Sequence, residues 1–175
     1  ETRVYLQEKI AGGWELPPKA LLGGAYLENY KKLGYPGVVI RRASSSVARV
    51  RAYWQLDTLS EKEAELHEHG LDNEKTAKAA IAIKNNDHAI FAGPVDFEKN
   101  KWGWRKYKVP REYLKPGENI IEINNTTKDY KTEIVGKASP ADEALARNYN
   151  WCWCIVGSVR LTGWNQQAES PPGKS

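Results

Sequence analysis

Methionine is absent from this chain of 175 residues, phenylalanine and cysteine occur twice each, and histidine three times. No apolar run reaches the roughly 20 residues that a membrane-spanning helix needs, so no membrane partner is expected. Long runs of one charge are missing too. The 26 basic and 22 acidic residues are interspersed and leave a net charge of +4. That distribution gives no phosphate-tracking surface, and nucleic acid is not an expected partner. The start, Glu1-Thr2-Arg3, lacks a signal-peptide pattern, and a chain without Met that begins at Glu reads as a segment processed from something longer. Cys152 and Cys154 lie two apart on an extended run. Their side chains then point the same way about 7 Å apart, which is poor geometry for a mutual disulfide, so both read as buried thiols. Catalytic signatures are missing as well: no Gly-x-Ser-x-Gly elbow, no His-Glu-x-x-His and no phosphate loop. No Asp or Glu sits in a sequence setting apolar enough to raise its pKa for acid work. An enzyme is therefore not expected.

What the chain does have is tryptophan, seven residues, and tyrosine, nine, rings with a polar handle that suit wet surfaces. It also has period-two patterning. Val50, Ala52, Trp54 and Leu56 alternate with Arg49, Arg51, Tyr53 and Gln55, which predicts a strand with its first set towards the core. Ala80 to Lys84 and Ala89 to Phe91 read as strands, the second closed by Gly93-Pro94. The stretch 60–79 is open to two readings: Glu61 to Leu66 has helix formers, yet Ala64 and Leu66 also fit a strand that ends in a turn at Gly70. Trp151 to Leu161 is apolar on both faces and reads as the strongest late strand. Ser139 to Ala146 reads as a brief helix, with Ser139 as N-cap and Pro140 in its first turn. The expected architecture is all-β, an antiparallel β-sandwich with at most one or two short helices. Residues 1–46 are expected to be an irregular segment with short strands packed on a core sandwich of 47–164, and 165–175 a frayed tail.

The most informative stretch is 102–125, WGWRKYKVPREYLKPGENIIEINN. Its ends alternate like strands, while Pro110, Pro116 and Gly117 force a turn between them. Together with AAIAIKNNDHAIFAGP from Ala79 and the late WCWCIVGSVRLT, this order resembles the galactose-binding-like jelly-roll domains that accompany bacterial polysaccharide-degrading enzymes. Where that family has glycine after the turn asparagine, this chain has Asn86 and Asp87. The resemblance implies a jelly roll, a secreted or cell-surface location, and a non-catalytic carbohydrate-binding module that anchors a polysaccharide or oligosaccharide near a catalytic or structural domain of the same parent chain. A second expectation is a structural or protein-interaction sandwich of a larger extracellular protein.

Sugar recognition needs flat apolar rings and nearby planar polar groups. Trp102 and Trp104 would share one strand face about 7 Å apart, near the spacing of neighbouring sugar rings, and they are either a binding surface or a wall of the core. Tyr149 and Asn150, just ahead of the last strand, have side chains suited to sugar hydroxyls. Trp151 and Trp153 fit the core. His67 and His69 would point the same way, a spacing compatible with a transition metal. The resemblance also implies a structural Ca²⁺, for which Asp57, Asp72, Asn73 and Asp87 offer oxygen donors.

Overall fold

The structure is a computed structural model and describes residues 4–29, 34–43, 45–72, 79–98, 101–127 and 153–165. The strands are β1 (Glu8–Ile10), β2 (Gly13–Leu16), β3 (Ala25–Leu27), β4 (Gly37–Ile40), β5 (Arg49–Leu56), β6 (Ala64–Asp72), β7 (Ala80–Asn85), β8 (His88–Pro94), β9 (Gly103–Val109), β10 (Gly117–Asn125) and β11 (Cys154–Thr162). All pair antiparallel, in a seven-stranded and a four-stranded sheet. The smaller sheet runs β5-β10-β7-β8. In the larger one β11 is central: β6 pairs along its whole length, while β4 takes its first half and β2 its second half on the other edge. β9 lies outside β6, and β1 and β3 outside β2 and β4.

The expected alternation of β5 holds, with Val50, Ala52, Trp54 and Leu56 buried. They meet Ile81, Ile83, Ile121 and Ile123 of their own sheet, and Ile40, Leu66, Val156 and Leu161 of the other, in one core. Non-directional burial of these side chains holds the layers together. Cys154 is buried in this core. Cys152, Trp151 and the stretch Ser139 to Ala146 lie outside the described residues.

Strand wins over helix at β6 because strands flank it on both sides, so every second residue is buried against the opposite layer. The strand does not stop at Gly70 but continues to Asp72. Gly70 serves close packing instead of a turn: a Cβ there would sit 2.6 Å from the Phe97 ring. β8 likewise runs on through Gly93 to Pro94, which a sheet-edge strand tolerates.

Two connections are set by asparagine side chains and backbone. Asn86 and Asp87 have φ of 47° and 68° between the paired residues Asn85 and His88, a two-residue hairpin of type I′, for which Asn and Asp are the non-glycine residues best suited. The 110–116 loop carries the chain from the larger sheet to the smaller. Its turn is fixed by buried Asn119, whose Oδ1 accepts from the Lys115 N–H at 3.0 Å and whose Nδ2 donates to the Lys115 carbonyl at 2.7 Å. Asn86 joins in, donating to Asn119 Oδ1 at 2.8 Å and to the Tyr113 carbonyl at 2.9 Å.

Candidate functional site

The outer face of the seven-stranded sheet carries an ordered stack of rings and cations. Strand register sets it up: His69 lies opposite Trp104, His67 opposite Lys106, and Arg160 between His67 and Glu15. The His69 imidazole stacks on both indoles, with centroids 4.8 Å from Trp102 and 4.8 Å from Trp104. The Arg160 guanidinium lies 4.3 Å from the Trp104 centroid, held by the Glu15 carboxylate. Tyr35 meets His69 and Trp102 edge-on at 5.3 and 5.7 Å.

The bed under this stack is made of small residues. A Cβ on Gly157 would come within 3.0 Å of His69 Nδ1 and 3.2 Å of Trp102, and one on Gly37 within 3.1 Å of Trp102. Gly157 falls where the β6–β11 register shifts, a bulge that re-aims the strand face. Below lies a second apolar cluster, Val39, Leu71 and Ile155, against which Trp102 and Trp153 pack.

Neither Trp102 nor Trp104 enters the core between the sheets. Trp102 is half-buried over the outer cluster, whereas Trp104 is 40% exposed and Tyr35 54%. The two indoles do not form a pair of open platforms either, because His69 fills the gap between them. Trp153 belongs to this outer face and not to the main core, with Arg41 5.1 Å from its ring centroid. Tyr149 and Asn150 lie outside the described residues. Sequence reasoning placed His67 and His69 on one face but missed His69 as the spacer, Arg160 and Tyr35. Only cross-strand register brings those groups together.

Burial lowers the pKa of His69, with Arg160 adding to the effect and Glu15 opposing it. Burial lowers that of His67 as well, against the pull of Glu65. Both rings are therefore neutral at pH 7, and His67 Nε2 shares a 2.9 Å hydrogen bond with the Thr162 hydroxyl. Among the described residues no group of three His, Cys, Asp or Glu side chains is placed to hold a metal. The calcium candidates do not converge: Asp57 and Asp87 follow the ends of β5 and β7, Asp72 closes β6 at the opposite end of the sandwich, and Asn73 is outside the described residues. The candidates that are described do not fit a shared Ca²⁺ site.

One carboxyl does sit in an apolar setting, contrary to the sequence expectation. Glu68 is buried between the sheets, and burial pushes its pKa up to about 7. Its partner is the Tyr107 hydroxyl, donating at 3.3 Å. The carboxyl is enclosed in the core.

Solved carbohydrate-binding modules share this two-sheet fold. A family 35 carbohydrate-binding module from an environmental isolate superposes with a TM-score of 0.54 at 14% identity, covering 86% of this chain and 93% of that one. A family 35 module from Clostridium thermocellum gives 0.51 at 13% identity, covering 85% and 97%. The GH26-CBM35 β-(1,4)-mannanase of Podospora anserina gives 0.53 at 14% identity, and there the match takes 93% of this chain but 29% of the enzyme. No protein-family model matches the chain, and no curated protein is similar to it in sequence.

Proposed function

We infer that the chain is a non-catalytic carbohydrate-binding domain that holds a polysaccharide on the outer face of its seven-stranded sheet. Trp104 and Trp102 supply the apolar contact, Arg160 and Glu15 the polar groups, and Tyr149 and Asn150 add hydroxyl and amide contacts from the segment ahead of β11. The observation that carries this reading is Trp104. A large ring left exposed on a polar sheet face, with its orientation fixed by His69 and Arg160, loses little conformational freedom when a ligand docks. The exposed part of the indole and the neighbouring guanidinium offer apolar contact and hydrogen bonding side by side, the pairing a pyranose requires.

Binding modules of the same fold support the reading, and the mannanase of Podospora anserina is a precedent for such a module in one chain with an enzyme. By that precedent the domain anchors an extracellular polysaccharide near a catalytic partner and raises its effective concentration. The test is a titration with xylan, mannan, galactan and glucan oligosaccharides, followed by tryptophan fluorescence. A saturable change that Trp104→Ala abolishes is expected for at least one of them. Silence across the panel overturns the reading.

A further inference from the structure

The smaller sheet has a hollow of its own on its outward face, about 560 Å³ in volume, lined on one side by Ala43, Ser45, Ser46 and Ala48. Two cross-strand rows build it: Arg49–Asn124–Ala82, and beside it Arg51–Glu122–Lys84. Ala82 and Ala48 keep the floor low, and Ser45 and Ser46 form a wall. The charges do not cancel. Both Glu122 oxygens are already engaged, one by Arg51 Nε at 2.7 Å and the other by Asn124 Nδ2 at 3.1 Å. Burial works against ionisation of Glu122, yet these partners and Arg49 hold its carboxyl below the usual range. Among the described residues Arg49 is left with one long contact to Glu122, at 3.9 Å, and Lys84 has no ion-pair partner. Two cations therefore flank a small-residue floor with an amide and two hydroxyls beside them, at the mouth of a space that fits a sugar residue.

We propose that this hollow is a second binding site, specific for an acidic saccharide unit whose carboxylate or sulfate lies between Arg49 and Lys84 while its ring rests over Ala82 and Asn124. A partly walled pair of cations makes charge-assisted hydrogen bonds stronger than neutral ones, and a floor without long side chains lets the ring approach. The site uses no residue of the aromatic face and stands or falls separately from it.

The experiment is NMR on ¹⁵N-labelled full chain, titrated with trigalacturonic acid, a chondroitin sulfate tetrasaccharide and neutral xylotriose, each at low and at physiological salt. The acidic oligosaccharides are expected to shift the Ala82, Lys84 and Asn124 amides saturably, and xylotriose to leave them unmoved; which acid binds tighter identifies the group. Lys84→Gln and Arg49→Gln should each weaken binding about tenfold. Ala82→Leu, which keeps every charge but fills the hollow, should abolish it, while Trp104→Ala leaves it intact. Thermal melting identifies any variant that fails to fold, and in that case the wild-type shifts decide alone. Three results overturn the proposal: no shift at these amides, equal shifts with sodium sulfate alone, or acidic binding that survives Ala82→Leu. A loss confined to Trp104→Ala would contradict this site and leave the aromatic face standing.

Discussion

The His69 imidazole and the Trp104 indole stack with centroids 4.8 Å apart and planes 26° from parallel. His69 has the same relation to Trp102, 4.8 Å and 27°, so one histidine orders both indoles. An exposed tryptophan on an edge-proximal strand would otherwise sample several rotamers. Here strand pairing, the imidazole and Arg160 confine it, and the site's rigidity depends on His69.

His69→Ala should therefore affect both stability and binding. Two ring contacts at about 0.5–1.5 kcal/mol each predict a loss of about 1–3 kcal/mol, read as a lower urea midpoint. Glycan affinity should fall, although His69 itself contributes mainly by holding its neighbours. His69→Phe, which keeps a flat ring, should restore most of the affinity. An unchanged midpoint and affinity in His69→Ala would mean that the stack orders nothing.

The pH dependence of stability has two opposed parts. The folded pKa values of His67 and His69 lie below 6.5, so the unfolded chain binds more protons there. Their contribution is full above pH 6.5 and is lost as the pH falls. Glu68 runs the other way: with a folded pKa of about 7 against 4.5 unfolded, its contribution is full below pH 4.5 and is lost as the pH rises through 7. Glu68→Gln keeps an acceptor for Tyr107 and removes the buried charge. It should stabilise the chain by on the order of 3 kcal/mol at pH 9 and by much less at pH 4. Urea denaturation at the two pH values measures both, and an equal effect at each would exclude a buried titration.

The β7–β8 hairpin carries strain that a substitution can relieve. Asp87 sits at φ 68°, a conformation that favours glycine. Asp87→Gly should raise stability by about 0.5–1 kcal/mol. Asn119→Ala should cost about 2–3 kcal/mol, because the Lys115 N–H and carbonyl lose their buried partner together. Thermal melts of the two variants should move in opposite directions.

Much of the fold was legible because burial imposes a period. The alternation of β5, the Ile and Glu alternation of β10 and the two-sided apolar pattern of β11 each follow from where the other layer lies. Gly70 and Gly93 misled because a glycine reads as a stop in sequence, whereas Gly70 here lets Phe97 approach the strand. The site was half legible. Trp102 and Trp104 share a face by strand period alone, but the group that separates them is 33 residues away in β6, and only the β6–β9 register shows it. Arg160 reaches Trp104 across a third strand. Spacing along one chain segment does not encode contacts of that kind.

The central claim is that the outer face of the seven-stranded sheet is the carbohydrate surface, and the indole N–H resonances of Trp102 and Trp104 report on it directly. In an NMR titration with whichever neutral oligosaccharide the fluorescence panel identifies, these two signals should shift saturably with one common dissociation constant, while that of core-buried Trp54 stays fixed. A bound glycan that leaves both signals in place and moves resonances elsewhere would contradict the account.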